Sequence, residues 1–331
     1  MAIRVAGGDT AVEYRPAEHR LVVERDGETL IDGRPTLDVG PATLPASASA
    51  ATDTSPGTAR AVHDDGWATT VELDAGDGHV DVRLSFQVPA DGASAVLGDL
   101  RPLVDATAPT HGPDSRRYRH GYQSWTPTAT LPVGERFPPE GDDPQMSDLA
   151  APGEASHGVT ALLDGDRPLA LGFLDHSRFL SRFDVDHDEG GVHRVDAVCP
   201  GDATRVDGGE RVTLPPLRVD ATRDLDDALA ALAETTAERM DARVPDDAPT
   251  GWCSWYHYFT DVTEDDVRET LDALDDWDVP LDLVQLDDGY QVAFGDWRTL
   301  DDGFDDVTGL VDDVCDADHT HGLWLAPFYV Q

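Results

Sequence analysis

Residues 251–259 have the sequence Gly-Trp-Cys-Ser-Trp-Tyr-His-Tyr-Phe, and six of these nine residues are Trp, Tyr, Phe or His. The whole chain of 331 residues is only 7% aromatic. Aromatic groups at this density form either part of a hydrophobic core or the floor of a ligand site. The sequence that follows this stretch decides between the two interpretations.

A repeating pattern of strands and helices starts here. We predict strands at residues 250–256, 281–286 and 322–328, each rich in apolar residues. A helix starting at Thr263, with Asp266 at the capping-box position, and a second helix over residues 307–314 separate them. This βαβαβ order is the repeating unit of a parallel α/β fold. Polar and aromatic residues follow each predicted strand, at the end where a TIM (β/α)8 barrel carries its active site.

Before residue 215, the apolar residues recur with a different period. Short runs of alternating polar and apolar residues, such as 68–73 and 79–86, are separated by Gly, Asp and Pro turns. This pattern predicts an antiparallel β-sandwich, with a long loop at residues 126–157. An amphipathic helix over residues 224–240 and a Pro-rich segment follow. We predict a β-sandwich domain at 1–222, a linker at 223–247, and a partial (β/α)8 barrel with strands 1–3 at 248–331.

The composition narrows the class of protein. The net charge is −42, with 66 acidic residues, of which 52 are Asp, and no Lys. This charge argues against nucleic acid or an anionic membrane as a partner. The 40% hydrophobic content argues against a disordered chain. The composition resembles that of haloarchaeal proteins, and we predict loss of the fold or activity below molar salt.

Neither a cofactor nor a membrane anchor is predicted. The three Cys residues are widely spaced and form no CxxC pair, so a zinc site or a disulfide framework is not expected. The sequence has no signal-peptide pattern at its start and no apolar run of membrane-spanning length. No dinucleotide-binding, Walker or HExxH motif is present. We therefore expect a cytoplasmic protein without a metal or cofactor.

The residues after the predicted parallel strands form a candidate carbohydrate site. Asp287 and Asp288 follow the second strand, Trp255 and Tyr256 end the first, and Trp324 lies in the third. Carboxylates accept hydrogen bonds from vicinal hydroxyls, and aromatic rings cover the apolar face of a sugar. Most Asp-Asp pairs of this chain are expected to be solvated surface pairs. The pair at 287–288 differs because it ends an apolar strand.

Several aromatic residues admit a structural interpretation. Trp252 and Trp277 are expected to pack in the core, as aromatic residues within elements commonly do. Trp125 belongs to the segment Tyr122-Gln123-Ser124-Trp125 inside the β region. Taken alone, this segment is better explained by a strand-end aromatic residue packed on the sandwich than by a ligand site, because single aromatic residues are usually structural.

Four ordered motifs closely resemble the α-galactosidases (melibiases) of glycoside hydrolase family 36. They are PTGWCSWYHYF at 249–259, QLDDGY at 285–290, GDW at 295–297 and GLWLAPF at 322–328. The segment YQSW at 122–125 is similar to a segment of that family's N-terminal sandwich. Outside the motifs, the N-terminal similarity is loose.

The resemblance implies a pocket for a terminal α-galactosyl unit, as in melibiose or raffinose. It implies that Asp287 and Asp288 accept hydrogen bonds from the 4- and 6-hydroxyls. It also implies that the pocket walls are formed by Trp125, Trp255, Tyr256 and Trp324.

The resemblance also implies a retaining mechanism that uses two carboxylates about 5–5.5 Å apart. In the family the nucleophile ends barrel strand four in a Lys-x-Asp segment, and the acid/base lies later. This chain contains no Lys and ends after the third predicted strand. We therefore assign no catalytic residue, expect a chain truncated after barrel strand 3, and expect it to be inactive by itself. Its partner could be a second copy or the missing C-terminal half of the barrel.

Two alternatives to galactoside hydrolysis stay open. One is galactosyl transfer of the raffinose-synthase type, which depends on acceptor-site residues. The other is a carbohydrate-binding fragment without catalysis.

Overall fold

Antiparallel strands make up nearly all of the first part of the chain. The computed structural model describes residues 2–40, 42–44, 49–92, 94–122, 126–136, 155–165, 167–274 and 280–327, and gives only the backbone for residues 49–52. The chain divides into two compact units, Met1–Arg243 and Val244–Gln331. The predicted boundaries of 1–222, 223–247 and 248–331 stay a prediction.

The strands of the first unit are numbered in chain order. They are β1 Ile3–Gly7, β2 Thr10–Arg15, β3 Arg20–Arg25, β4 Glu28–Val39, β5 Ala42–Leu44, β6 Ser49–Ser55, β7 Thr58–His63, β8 Ala68–Ala75, β9 His79–Gln87, β10 Ala95–Thr107, β11 Arg116–Arg119, β12 Ala129–Pro132, β13 Ser156–His157, β14 Val159–Asp164, β15 Arg167–Phe173, β16 Arg182–Asp188, β17 Gly191–Pro200, β18 Arg205–Val206, β19 Arg211–Thr213 and β20 Leu217–Asp220.

Within the described residues, these strands form two ten-stranded antiparallel sheets. The first has the order β1-β2-β3-β4-β10-β17-β16-β13, with β5 beside β4 and β18 beside β10. The second has the order β12-β11-β14-β15-β20-β9-β8-β7-β6, with β19 beside β9. One buried apolar cluster contains residues of both sheets, so the sheets pack face to face. The stacked rings of Phe173 in β15 and Phe183 in β16, 5.0 Å apart, mark this contact.

A helix, α1 (Leu225–Met240), packs on β15 in the first unit. The Asp224 side chain caps its start by accepting from the Asp227 amide. Gly172 allows the close approach, because a Cβ at that position would lie 2.4 Å from the Leu232 side chain. Arg218 of β20 donates to the Thr235 hydroxyl at 2.7 Å while it also pairs with Asp81. The helix is therefore part of the sandwich unit.

The second unit contains a parallel sheet with the order β21-β22-β23. Its elements are β21 Gly251–Cys253, α2 Trp255–Tyr258, a short 3₁₀ turn Phe259–Asp261, α3 Glu264–Leu274, β22 Leu283–Leu286, α4 Val307–Asp316 and β23 Thr320–Leu323. Buried residues of α3, β22 and α4 share one apolar cluster, which includes Val267, Leu271, Val284 and Leu310.

The predicted fold class is confirmed: an antiparallel sandwich precedes a parallel βαβαβ unit. The capping box is confirmed as well, because Thr263 N–H donates to Asp266 at 2.9 Å and Asp266 N–H donates back to the Thr263 hydroxyl at 3.2 Å. Within the described part of the chain, no helix is long and apolar enough to cross a membrane.

Three local predictions need correction. The third parallel strand is Thr320–Leu323, so Trp324 follows this strand and does not lie in it as predicted. The first parallel strand ends at Cys253 and not at residue 256, because Trp255–Tyr258 form a helical turn after it. The segment predicted as a loop at 126–157 contains β12, which pairs with β11, and β13, which pairs with β16; its residues 137–154 lie outside the described residues.

Candidate functional site

The candidate site lies where β22 ends. Asp287 and Asp288 follow this strand directly and are only 9% and 8% exposed. Gly289 turns the chain after them with a φ of +123°, and its Cα lies against the backbone of Thr260. This conformation favours glycine because it has no Cβ. The turn leaves two adjacent carboxylates buried at the carboxyl end of the sheet.

Both oxygens of Asp287 are held by neutral donors. Oδ2 accepts from Gln285 Nε2 at 2.7 Å and from the Cys253 thiol at 3.3 Å. Oδ1 accepts from the Asp288 amide at 2.9 Å, and the Asp287 amide donates to the Ser254 hydroxyl at 2.9 Å. Burial, with the Asp287 carboxylate beside it, raises the pKa of the Cys253 thiol, which therefore stays protonated and able to donate. These contacts fix the orientation of the carboxylate.

Asp288 is less completely bonded. Its Oδ1 accepts from Gln291 Nε2 at 2.6 Å, and no donor reaches its Oδ2 within the described residues. Gln291 is 7% exposed, and its Oε1 has no hydrogen-bond partner in the described part of the chain. A free carboxylate oxygen and a free amide oxygen therefore belong to two side chains in direct contact. Both are acceptors, so a ligand with hydroxyl donors would satisfy them.

No cationic side chain forms a salt bridge with either carboxylate among the residues that the structure describes. Buried carboxylates normally gain a charged partner or several hydrogen bonds, because burial without them is costly. Here the bonding comes from two side-chain amides, a thiol and one backbone N–H group. The pair is thus arranged to receive neutral donors and not an anion.

An aromatic group adjoins the carboxylate pair. Trp324 follows β23, and its ring lies 5.9 Å from Phe294 and 6.1 Å from Trp297, measured between centroids. Tyr290, 1% exposed, donates its hydroxyl to the Trp324 carbonyl at 3.3 Å. Because Tyr290 lies two residues after Asp288, the aromatic rings and the carboxylates are parts of one strand-end region.

Trp255 and Tyr256 lie in α2, immediately after the Ser254 hydroxyl that bonds to Asp287. Trp255 is half-buried and its ring packs edge-on against Phe259 at 5.3 Å. Tyr256 is 85% exposed, so it forms no wall of a closed pocket within this unit. Trp252, predicted to be a core residue, is partly buried against the apolar cluster of the unit.

Two of the predicted aromatic residues lie outside the described residues. They are Trp125, predicted to be part of the site, and Trp277, predicted to be part of the core. The assignment of Trp125 therefore stays a prediction, as do the ligand roles of the other residues.

Sequence reasoning missed three residues that bond to the carboxylates, Cys253, Gln285 and Gln291, and a fourth, Ser254, that accepts from the Asp287 backbone amide. Gln285 was recoverable, because residues two apart in a strand face the same side and Asp287 lies two positions later. Cys253 was not, because its contact depends on the register that places Cys253 opposite Gln285 in neighbouring strands.

Residues 231–310 match a protein-family model described as "Raffinose synthase or seed imbibition protein Sip1".

Solved structures share the fold. An α-galactosidase from Thermus thermophilus, TtGalA, in complex with p-nitrophenyl α-D-galactopyranoside is 24% identical, with a TM-score of 0.50 over 82% of this chain and 50% of its own. The GH36 α-galactosidase AgaA from Geobacillus stearothermophilus is 14% identical, with a TM-score of 0.55 over 99% of this chain and 56% of its own. The galactosidase domain of the α-galactosidase-sucrose kinase AgaSK is 10% identical, with a TM-score of 0.60 over 98% and 56%.

These similarities establish the fold, which is that of about half of a GH36 α-galactosidase. The chain spans only 50–56% of the length of these structures.

Proposed function

We propose that the strand-end site of the second unit binds a terminal α-galactosyl unit, as part of a GH36-type α-galactosidase. The observation that carries this proposal is the buried Asp287-Asp288 pair, which has neutral donors and an open Asp288 Oδ2. Similar structures contain galactosides, including raffinose in one AgaA complex, which agrees with the proposal.

In this proposal Asp288 Oδ2 accepts a hydrogen bond from a sugar hydroxyl, and Gln291 Oε1 accepts a second one. Asp287, held by Gln285 and Cys253, accepts through the remaining lone pairs of its carboxylate. Trp324 and its neighbouring rings cover the apolar face of the sugar. An epimer with its 4-hydroxyl turned away leaves a buried carboxylate unpaired, and this penalty provides the selectivity for galactose.

We also propose that residues 1–331 bind galactosides without hydrolysing them. The sequence contains no Lys, so residues 1–331 contain no counterpart of the Lys-x-Asp segment that the resemblance implies for the nucleophile. We further propose a cytoplasmic protein adapted to high salt, of the haloarchaeal type.

Calorimetric titration with galactose and glucose tests the binding site. We expect galactose to bind, glucose to bind at least tenfold more weakly, and Asp288→Ala to weaken galactose binding about 10- to 100-fold, since hydrogen bonds to charged groups contribute about 1.5–3 kcal/mol. Asp312→Asn, at an exposed Asp of the same unit, is the matched control. Equal affinity for both sugars, or no effect of Asp288→Ala, would refute the proposal.

Hydrolysis is tested separately with p-nitrophenyl α-galactoside. The purified chain should release no nitrophenol, and release above background that Asp288→Ala abolishes would refute the proposed inactivity.

Galactosyl transfer is the second candidate, and the raffinose-synthase match over residues 231–310 favours it. If an active enzyme is assembled, the ratio of galactosyl transfer to sucrose over transfer to water separates the two.

A further inference from the structure

A groove in the sandwich unit, independent of the carboxylate pair, has the properties of a ligand site. Its volume is about 920 Å³, within the range of about 300–1,000 Å³ typical of small-molecule pockets. One wall is the apolar side of α1, with Leu229, Leu232 and Met240. The opposite wall is formed by residues that flank β11, β13 and β14, including His157 and Tyr122.

His157 gives this groove an unsatisfied polar end. The residue is 7% exposed, and among the described residues neither Nδ1 nor Nε2 of its ring has a hydrogen-bond partner. Its ring lies 5.0 Å from that of Tyr122, and its carbonyl is bonded to His120 Nδ1 at 2.7 Å. A buried imidazole with two unpartnered nitrogens is unusual, because buried polar groups are nearly always bonded. A ligand atom that accepts a hydrogen bond would supply a partner for the N–H of this imidazole.

The charges around the groove differ from those of the rest of the protein. Asp and Glu make up 66 of the 331 residues, yet none is found among the described residues that line the groove. The lining includes Arg178, whose guanidinium forms no ion pair among the described residues and lies 5.3 Å from the ring of Phe179. Burial, and then the positive charges of Arg182 and Arg119, lower the pKa of His157 to about 4. Asp184 is the acidic group near His157, and it is paired with Arg182 at 3.1 Å.

We propose that this groove binds a small amphipathic carboxylate, with its apolar body against α1 and its carboxylate at His157. An anion is favoured there because the nearby guanidinium groups attract it and the described lining offers no like charge to repel it. The apolar wall favours an aromatic or aliphatic body of a few carbon atoms. A cation is disfavoured by the same guanidinium groups. The groove belongs to the first compact unit, whereas Asp287 and Asp288 belong to the second.

The proposal is tested with the full chain and 4-phenylbutyrate as the probe, titrated by calorimetry in buffer that keeps the chain folded. The neutral 4-phenylbutanol and the cationic 4-phenylbutylamine have bodies of nearly the same size. We expect phenylbutyrate to bind at least tenfold more tightly than either analogue. Equal binding of phenylbutyrate and phenylbutanol would overturn the proposal, as would the absence of phenylbutyrate binding.

His157→Phe removes both ring nitrogens and keeps a ring that can pack against Tyr122. It should weaken phenylbutyrate binding at least tenfold. The control is His193→Phe, at an exposed histidine of the same sandwich that lies outside the groove. If both variants bind phenylbutyrate as the wild type does, the assigned site is wrong. Galactose binding should be unchanged in His157→Phe, which separates this test from that of the proposed function.

Histidine side-chain NMR of the wild-type chain provides a readout that does not depend on a folded variant. Phenylbutyrate should shift the imidazole resonances of His157 and leave those of His193 in place. Unchanged His157 resonances at saturating phenylbutyrate would refute the site. A groove covered by a second copy would instead appear as a dimer in sedimentation that Leu180→Asp dissociates, and that result would also overturn the proposal.

Discussion

The backbone conformation of Gly289 allows two adjacent carboxylates to be buried at the end of β22. Its φ of +123° lies in a region that side chains with a Cβ rarely adopt, and a Cβ there would lie 2.8 Å from the Thr260 carbonyl oxygen. The contacting atoms belong to the backbone, so they cannot move without shifting the 3₁₀ turn after α2. The turn therefore couples Asp287 and Asp288 to the chain that follows Trp255.

Gly289→Ala should lower the free energy of unfolding by about 1–3 kcal/mol from the backbone conformation alone. It should also weaken galactose binding, because relief of the clash displaces the adjacent carboxylates. Chemical unfolding and calorimetry measure the two effects. The control is Gly112→Ala, where a Cβ meets no atom within 4 Å. Equal stability of the two variants would show that the turn relaxes without cost.

At the scale of elements, Glu264 links α3 to α4 in the parallel unit. This residue opens α3, and its Oε1 accepts from the backbone amides of Asp305 and Asp306 just before α4. Its Oε2 accepts from Arg268 at 2.8 Å, and Arg268 also bonds to Asp313 of α4 at 2.8 Å. Burial alone would raise the pKa of Glu264, but the Asp306 amide, Arg268 and the Asp305 amide together lower it below its usual value.

Glu264→Gln should lower the free energy of unfolding at neutral pH by about 1.5–3 kcal/mol, the contribution of hydrogen bonds to a charged group. Because the folded pKa is lowered, the stabilisation is present above the unfolded pKa and is lost as the pH falls through the folded pKa. The difference between variant and wild type should therefore shrink on acidification. Glu269→Gln, at an exposed position of α3, should change little. A pH-independent difference would contradict this account.

At the scale of the whole molecule, the net charge of −42 opposes compaction. The chain has 24 basic residues, all of them Arg, against 66 acidic ones. The acidic residues outnumber the basic ones by 42, so their charge is not balanced within the protein. Screening by salt is the remaining way to reduce their repulsion, since the Debye length falls from about 10 Å at 0.1 M to about 3 Å at 1 M.

The midpoint of thermal unfolding should rise steeply when KCl is increased from 0.1 to 3 M. Sucrose is the control, because it is excluded from protein surfaces without screening charge. A comparable rise in sucrose would attribute the effect to solvent exclusion. Full stability in dilute buffer would refute the predicted dependence on salt.

The sequence alone was sufficient to predict the architecture of each region from the period of its apolar residues. Alternation by two before residue 215 and the change to strands and helices after residue 250 predicted both architectures, because side-chain direction follows backbone geometry. It also located Asp287 and Asp288, since residues directly after an apolar parallel strand lie at the end where ligands bind. The strand predicted to reach residue 256 was too long, because aromatic composition alone does not distinguish a strand from the helical turn of α2.

Only the tertiary structure decided which groups hold those carboxylates. The contact of Cys253 with Asp287 needs the register of β21 against β22, and the orphaned ring of His157 needs the packing of α1 and β13 around it. Both depend on residues distant in sequence, whose separation no local pattern encodes. Local periodicity specifies which elements form and which of their faces are apolar. Long-range packing specifies which polar atoms are left without a partner, and both candidate sites rest on such atoms.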